Sequence, residues 1–230
     1  MALRGKKPKE TGAPRLKLLM FGEEGVGKTM AAIQMPAPYV IDTEKGSVHY
    51  SKIIEKSGGA VFQTTSMAET IEEVRALMTE AHGYKTLVID PFTTLYDTEL
   101  DVGAGIEGTD FGRHYGYAAK ASKRLYHLLT QIDMNIILTA HCKNEYGDGM
   151  KVIGKKADGW KKLPYLFDLV LHLERYKDGE GTRLATVMKT RLPQFPDQAK
   201  FEWSYGSLVE RYGSANLERG ATVVDLATPG

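Results

Sequence analysis

Short apolar runs, each ending in a polar or glycine-rich segment, recur along this chain. Four of them have the length and apolar composition of strands that are buried on both faces of a sheet. They are residues 16–21, 39–44, 86–90 and 135–140. Because helical patterns alternate with these runs, the chain is predicted to have an α/β fold, with a mostly parallel, twisted sheet flanked by helices on both faces.

Two stretches between the strands carry apolar residues at helical spacing, which predicts helices that pack on the sheet. The first contains Met67, Ile71, Val74, Leu77, Met78 and Ala81, and the second contains Ala118, Ala121, Leu125, Leu128, Leu129 and Ile132. Later in the chain, residues 169–173 and 183–188 look like strands joined by a turn at 177–181. This pattern predicts an antiparallel hairpin that extends the sheet at one edge.

The two ends of the chain differ from this middle part. Residues 1–14 contain four Lys or Arg residues and one Glu, without apolar periodicity, and are predicted to be a flexible basic arm. Such an arm either contacts nucleic acid or only aids solubility. Residues 213–230 are predicted to be a loosely ordered tail. Residues 15–212 then form one domain, which is within the usual size range.

Composition narrows the class of protein. The hydrophobic content of 42% and charged content of 26% are ordinary for a globular protein. The formal net charge is +1, so any argument for nucleic-acid binding must rest on local patches. The single cysteine, Cys142, excludes an intrachain disulfide framework. With no transmembrane run and no signal-peptide pattern, we expect a cytoplasmic protein without membrane contacts.

Residues 22–29 match the phosphate-loop motif G-x-x-x-x-G-K-[ST], between a predicted strand and a predicted helix. In this context backbone N–H groups surround a β-phosphate, Lys28 reaches the β- and γ-phosphates, and Thr29 binds Mg²⁺. The alternative is a glycine-rich turn with an incidental lysine. The predicted nucleotide-binding stretch consists of Gly22, Glu23, Glu24, Gly25, Val26, Gly27, Lys28, Thr29 and Met30. The motif predicts a protein that binds a nucleoside triphosphate.

Three further polar residues follow predicted strands, so a parallel sheet would deliver them to the same edge. Asp90 is predicted to hold the Mg²⁺ hydration shell, although Asp90-Pro91 also resembles a helix start. Glu44 could orient or deprotonate the attacking water, or it could be a solvated loop residue. His141 could contact the γ-phosphate and report its loss, or it could be an ordinary surface residue.

The order of the phosphate loop, residues 41–44, residues 87–90, Thr139-Ala140-His141 and the late hairpin resembles the RecA recombinase core. Over roughly residues 15–205 it is similar to the short RecA-like P-loop ATPases of bacteriophages that act as single-strand annealing proteins. The resemblance implies ATP and Mg²⁺ as cofactors and matches Glu44 to the family's catalytic glutamate. It places His141 where recombinases usually carry a glutamine. It also implies the host cytoplasm as the compartment.

Two segments are candidates for contacting DNA. Residues 101–117 are glycine-rich and include Arg113, and residues 143–162 follow the strand that ends near His141. Both are predicted to be long loops, which in a compact domain are usually functional or disordered. Tyr146 and Trp160 suit base stacking, whereas a charged surface loop without DNA is the alternative. The second segment carries most of the predicted DNA-binding lysines, which are Lys151, Lys155, Lys156, Lys161 and Lys162.

Lys189 and Arg191 alternate at the end of a predicted strand and would point to the same side of it. The RecA resemblance implies that such residues act on the ATP of a neighbouring subunit in a homo-oligomer, a ring or a filament. The alternative is that they protect an edge strand from aggregation.

The predicted function is therefore an ATPase, expected to be DNA-stimulated, that binds single-stranded DNA and promotes annealing or homologous recombination. A single-strand binding protein is a further candidate partner for this function. Two alternatives stay open: a nucleotide switch that regulates or loads a protein partner without DNA, and a helicase-like ring motor.

Overall fold

The computed structural model describes residues 14–176 and 181–223. The strands are β1 (Lys17–Gly22), β2 (Pro38–Asp42), β3 (Ala60–Gln63), β4 (Thr86–Asp90), β5 (Asn135–Ala140), β6 (Cys142–Tyr146), β7 (Val152–Ala157), β8 (Leu169–Arg175), β9 (Arg183–Thr190) and β10 (Lys200–Glu202). The helices are α1 (Lys28–Ile33), α2 (Ser51–Lys56), α3 (Met67–Thr79), α4 (Phe92–Glu107), α5 (Arg113–Gln131), α6 (Tyr205–Tyr212) and α7 (Ser214–Leu217). All the strands and helices predicted from apolar periodicity are present.

Eight of the strands form one sheet in the order β10-β9-β8-β1-β5-β4-β2-β3. The strands from β8 to β3 in this order are parallel to one another, and β9 and β10 add antiparallel pairs at one edge. This confirms the predicted α/β fold, a mostly parallel sheet with an antiparallel hairpin, which is consistent with a P-loop NTPase. Since parallel strands share one direction, the carboxyl ends of β1, β2, β4, β5 and β8 lie at one edge, here called the carboxyl edge.

The sheet separates two apolar cores, because successive side chains of a strand point to opposite faces. Leu19 and Phe21 of β1 pack into the core formed with α3, α4 and α5. Leu18 and Met20 pack into the core formed with α1, α2 and α6. All four side chains are at most 2% exposed, which explains why β1 is uniformly apolar.

The first predicted DNA loop is largely helical. Residues 101–107 belong to α4 and residues 113–117 to α5, so the prediction of a long loop at 101–117 was wrong. Helical glycine is disfavoured by its conformational entropy, but close packing of the two helices outweighs that cost. A Cβ at Gly103 would lie 3.0 Å from the Cβ of Tyr117 and 3.1 Å from the carbonyl oxygen of His114.

The second predicted DNA loop, residues 143–162, is also not a loop over most of its length. Strands β6 and β7 form a separate antiparallel hairpin, with Cys142 opposite Ala157 and Asn144 opposite Lys155. Its side chains are exposed or half-buried on both faces, so no apolar alternation marks the two strands in the sequence. We call residues 142–157 the lysine hairpin.

The predicted loose tail is docked as far as the structure describes it. Ser214–Leu217 form α7, and Leu217 is fully buried. The Arg15 guanidinium donates to the carbonyl oxygens of Arg219, at 2.6 Å, and Gly220, and forms an ion pair with Asp133 at 2.7 Å. The composition of the tail does not reveal these contacts, because the donors come from Arg15 at the other end of the described chain.

Other predictions fall outside the described residues: the basic arm at 1–13, the turn at 177–180 and the last residues, 224–230. Within the described ranges, no helix combines the length and the apolar character needed to cross a membrane.

Candidate functional site

The phosphate loop connects β1 to α1 at the carboxyl edge. β1 ends at Gly22 and α1 begins at Lys28, as the motif predicts. Gly25 and Gly27 have φ angles of 69° and 91°, a left-handed conformation that strongly favours glycine. These two residues give the loop the sharp bends that allow successive backbone N–H groups to face one anion.

The Lys28 side chain lies along its own loop. Its Nζ donates to the carbonyl oxygens of Gly22 and Glu23, each at 2.8 Å. Burial lowers the pKa of Lys28, and the Asp90 carboxylate opposes this shift. These contacts hold the amino group beside the loop backbone, where it can reach a bound phosphate.

Asp90 ends β4, two strands away from β1, with β5 between them. Its side chain accepts hydrogen bonds from the hydroxyl groups of Thr139 and Thr29. Burial raises the pKa of Asp90, and these two hydrogen bonds oppose the rise. Asp90 does not cap α4, because Pro91 occupies the cap position and no side-chain cap bond forms there.

The oxygen atoms of Asp90 and Thr29 fit Mg²⁺, which is usually held by one or two carboxylates together with substrate phosphates. Within residues 14–176 and 181–223, no group of three or more His, Cys, Asp or Glu side chains could enclose a metal ion. A magnesium ion here would therefore complete its coordination shell with water and phosphate oxygens.

Glu44 follows β2 and is 45% exposed at the same edge. Its Oε1 lies 3.2 Å from Nε2 of His141 and accepts a hydrogen bond from Oγ1 of Thr94 at 2.6 Å. Asp42 is engaged by its own turn, since it accepts backbone N–H bonds from Glu44 at 3.1 Å and Ser47 at 2.9 Å. Glu44 is thus the carboxylate of this segment that is placed to meet a water molecule.

These groups share one cleft of about 170 Å³, here called the acidic cleft. The structure therefore brings together Lys28, Thr29, Asp90, Glu44 and His141, which the sequence separates by up to 113 positions. The cleft combines the ammonium group of Lys28, the oxygen atoms of Thr29 and Asp90, which fit a metal ion, and the carboxylate of Glu44 next to the imidazole of His141. It can hold a phosphate chain and orient water towards its end.

Lys189 and Arg191 lie at the opposite edge of the sheet. Lys189 faces Val170 near the start of β8, and β8 runs parallel to β1. Nζ of Lys189 donates to the carbonyl oxygens of Pro164 and Phe167 at 2.8 and 2.7 Å, and Arg191 pairs with Asp168 at 3.0 Å. Both cations are about one strand length from their own phosphate loop, so any action on ATP would require a neighbouring subunit.

Two other arginines lie against the phosphate loop. Arg175, at the end of β8, donates from Nη2 to the carbonyl oxygen of Gly25 at 3.1 Å. Arg183, at the start of β9, is so close that a Cβ at Gly27 would be 3.0 Å from its Nε. Sequence reasoning missed this pair. The signal was strand polarity: if residues 169–173 run parallel to β1, the hairpin turn and its flanking arginines must reach the carboxyl edge.

The lysine hairpin leaves β5 immediately after His141 and also reaches the phosphate loop. Nζ of Lys155 lies 3.0 Å from Oε1 of Glu23, and this contact lowers the pKa of Glu23. A groove of about 340 Å³, here called the basic groove, follows the hairpin. Its lining residues are Lys143, Lys156, Ala157, Asp158, Gly159, Trp160, Lys161, Leu163 and Pro164.

The predicted DNA-binding residues do not all meet in this groove. Lys156 and Lys161 line it, whereas Lys151, Lys155 and Lys162 do not. Arg113 lines a different cleft, between α4 and α5, together with Glu99 and Glu107. The structure therefore separates Arg113 from the lysines with which the sequence groups it.

Comparison with known proteins identifies the family. A family model for the AAA domain matches residues 15–193, which covers the phosphate loop, all the acidic-cleft residues and the hairpin of β8 and β9. The chain belongs to this AAA-domain family. A search of curated proteins finds no match. Membership of the AAA-domain family makes the chain a P-loop ATPase in the general sense. The family also implies nucleotide binding, usually together with Mg²⁺.

Proposed function

We propose that this AAA-domain protein is a RecA-like ATPase that binds single-stranded DNA and promotes annealing or recombination, with its ATPase activity stimulated by DNA. The observation that carries the proposal is the contact between Lys155 of the lysine hairpin and Glu23 of the phosphate loop. One structural unit thereby offers lysines to a ligand and touches the loop that would hold the nucleotide.

A second connection runs from the acidic cleft to the hairpin. The backbone N–H of His141 donates to Oγ1 of Thr93 at 2.9 Å, and the carbonyl oxygen of His141 accepts from the backbone N–H of Asp158 at 2.9 Å. Lys143 pairs with Asp158 at 2.6 Å. A displacement of His141 on loss of the γ-phosphate would therefore move both ends of the lysine hairpin.

The basic groove has the composition expected of a site for single-stranded DNA. Lys143, Lys156 and Lys161 line it, and the half-buried Trp160 packs edge-to-face on Tyr126 with ring centroids 5.9 Å apart. Lysines contact the phosphate backbone, and an aromatic side chain stacks on bases without regard to sequence. Lys151, Lys161 and Lys162 form no ion pair with any described residue, so their charges are available to a ligand.

In the hydrolysis that we propose, Lys28 and the backbone of the phosphate loop hold the β- and γ-phosphates. Oε1 of Glu44 is held by Thr94 and His141, and Oε2 receives the proton of the water that attacks the γ-phosphorus. ADP leaves with the electron pair of the broken P–O bond. Thr29 and Asp90 would hold Mg²⁺, which would supply charge neutralisation on the phosphates.

A nucleotide switch with a protein partner is the second candidate. Four apolar side chains are exposed at the end of α4, in the turn that follows it and at the start of α5: Val102, Ile106, Phe111 and Tyr115, which are 42%, 64%, 102% and 57% exposed. Exposed apolar patches often mark protein–protein contacts. This patch fits a partner protein as well as it fits a second subunit of this chain.

The salt dependence of DNA binding distinguishes these functions. Replacing Lys155, Lys156, Lys161 and Lys162 by Gln should weaken binding of a labelled single strand. Each lost phosphate contact lowers the slope of log affinity against log salt by about 0.7. The matched control replaces the exposed lysines Lys52, Lys56, Lys123 and Lys200, which lie outside the basic groove.

Fluorescence anisotropy with and without ATP gives both slopes. If the slope falls by up to about 2.8 in the hairpin variant and stays the same in the control, the lysine hairpin is the DNA path. Equal slopes in the wild type and both variants would exclude it. Absence of salt-dependent binding in the wild type would favour the nucleotide switch.

A further inference from the structure

A cleft of about 440 Å³ lies between α4 and α5, on the opposite face of the sheet from α1. We call it the α4–α5 cleft, and its two walls carry opposite charges. α4 contributes Glu99 and Glu107 and contains no Lys or Arg. α5 contributes Arg113, Lys120 and Arg124 and contains no Asp or Glu. The cleft shares no lining residue with the acidic cleft or the basic groove, and its volume is within the range of ligand sites.

The three cations form a stripe along one side of α5. Arg113, Lys120 and Arg124 are separated by about two turns and about one turn of the helix, so their side chains leave it on the same side. The stripe is about 16 Å long, at 1.5 Å of rise per residue. All three side chains are exposed, and in the part of the chain that the structure describes none of them forms an ion pair. Their charges are therefore available to phosphate groups.

Glu99 provides an independent observation. It is only 9% exposed, yet among the described residues its carboxylate has no hydrogen-bond or ion-pair partner. Burial alone raises the pKa of Glu99, as expected for a carboxylate that no nearby cation or donor stabilises. An unpaired buried carboxylate is costly, so native proteins usually pair one. Since Glu99 lines the cleft, a ligand there can supply the missing donor.

The two kinds of charged group restrict the chemistry of this ligand. Glu99 would repel a simple anion, and the three positive charges of the opposite wall would repel a simple cation. The ligand must therefore carry a hydrogen-bond donor in one part and an anionic group in another. A nucleotide has both, and the half-buried Tyr117 in the wall offers a flat surface on which its base can stack.

Guanine is the base that best matches a carboxylate. Its Watson–Crick edge presents two adjacent donors, N1–H and the N2 amino group, to the two oxygen atoms of one carboxylate. Adenine and cytosine place an acceptor nitrogen beside their amino group, and thymine flanks its N3–H with two carbonyl oxygens. We propose that the α4–α5 cleft binds a guanine nucleotide, with Glu99 accepting from the base and the cation stripe of α5 holding phosphate groups. This nucleotide is either free or part of a strand, and the strand form rests on the proposed binding of single-stranded DNA.

The glycine at position 116 keeps the cleft open. A Cβ at Gly116 would have no atom within 4 Å, although the residue lies on α5 between Arg113 and Lys120. Leucine at this position meets no steric obstacle and is favoured over glycine in a helix. Gly116→Leu is therefore a variant that fills part of the cleft without removing a charge.

Base preference in a single strand gives the first test. The probe is a labelled oligothymidylate with one central dG, and the comparison strand carries deoxyinosine, whose base is guanine without the N2 amino group. We expect the dG strand to bind about tenfold tighter, the effect of one hydrogen bond to a charged group. Glu99→Gln should abolish this difference and leave the affinity for plain oligothymidylate unchanged, and Gly116→Leu should abolish the difference as well. Glu72→Gln, which removes an exposed carboxylate from α3, is the matched control.

Free mononucleotides give the second test. Saturating inorganic tripolyphosphate first occupies the phosphate loop, so that a mononucleotide bound there does not contribute. Saturation-transfer NMR then compares GMP with IMP, which lacks the N2 amino group. GMP should bind the wild type about tenfold tighter than IMP, and Glu99→Gln should remove this preference while Glu72→Gln retains it.

The outcomes separate the guanine cleft from DNA binding. Salt-dependent strand binding with no guanine preference in either test, or a preference that survives in Glu99→Gln, would overturn the cleft and keep the proposed function. A preference for GMP that depends on Glu99, in a protein that binds no strand, would support the cleft as a site for a free nucleotide and overturn DNA binding. A folded protein that binds neither strands nor GMP would overturn both.

Discussion

Replacing Glu44 by Gln isolates the chemical step of hydrolysis. Glutamine has nearly the same shape, and its oxygen can still accept the hydroxyl of Thr94, which lies 2.6 Å from Oε1 in the wild type. What disappears is the carboxylate that receives a proton from water. General base catalysis contributes about 10²–10⁴-fold, which corresponds to roughly 2.7–5.5 kcal/mol of activation free energy.

The structure also predicts what should not change. The described contacts of the Glu44 carboxylate go to Thr94 and His141, not to the phosphate loop. We therefore expect the dissociation constant for ATP to stay within about threefold of the wild type, because ground-state binding is retained. The assay is single-turnover phosphate release, with nucleotide affinity measured separately by calorimetry.

Two further variants make the measurement specific. Thr94→Val removes the hydroxyl that orients the carboxylate and should slow turnover by less than Glu44→Gln, because a hydrogen bond to a charged group is worth about 1.5–3 kcal/mol. Glu55→Gln removes an exposed carboxylate from α2 and should leave turnover unchanged. If Glu44→Gln hydrolyses ATP at the wild-type rate, Glu44 is not the base and the assignment of the acidic cleft fails.

Three other predictions follow from the same structure. Lys28→Ala should lose nucleotide affinity or turnover, and near-normal ATPase rates in a correctly folded variant would contradict the phosphate-loop assignment. If Lys189 and Arg191 act on the ATP of a neighbouring subunit, mixing Lys28→Ala protein with the Lys189→Ala, Arg191→Ala double variant should restore part of the ATPase activity. Absence of rescue would mean that both side chains serve only the contacts within their own subunit. The Arg15 hydrogen bond is the main cause that lowers the pKa of the Asp133 carboxyl in the folded protein. The stability that this carboxylate adds is therefore fully present above its unfolded pKa, and it is lost as the pH falls through the lower folded pKa. Asp133→Asn should therefore lower the free energy of unfolding by about 1–2 kcal/mol at neutral pH. This is less than the loss of a fully buried ion pair, because the Asp133 side chain is 32% exposed. In chemical denaturation at a series of pH values, the free energy of unfolding of the variant should fall less steeply with acidification than that of the wild type.

The acidic cleft could be placed from the sequence because its residues lie at or just after the ends of short, mainly apolar strands. Asp90 follows a run with no polar interruption, and the topology of a parallel sheet then leaves little choice about where its side chain lies. The phosphate loop adds glycines at the two positions, 25 and 27, where the backbone is left-handed. Local pattern and global fold agree here.

The same reasoning fails where tertiary contacts decide. The lysine hairpin is exposed or half-buried on both faces, so its strands carry no apolar alternation that a sequence could show. Gly103 suggests a loop, yet it is the residue that allows α4 to approach Tyr117. Lys189 and Arg191 look like phosphate ligands by composition, but strand direction carries them to the opposite edge and brings Arg175 and Arg183 to the loop instead.

The hydrogen bonds from Arg15 to the carbonyl oxygens of residues 219 and 220 have a practical consequence for attaching or labelling the protein. It joins the two ends of the described chain at the edge where β1 starts, about one strand length from the phosphate loop. A surface tether or fluorophore attached through residue 14 or residue 223 would therefore leave the acidic cleft and the lysine hairpin facing solution. A circular permutant that joins these two positions by a short linker should keep both surfaces intact, because nearby ends usually tolerate such joining.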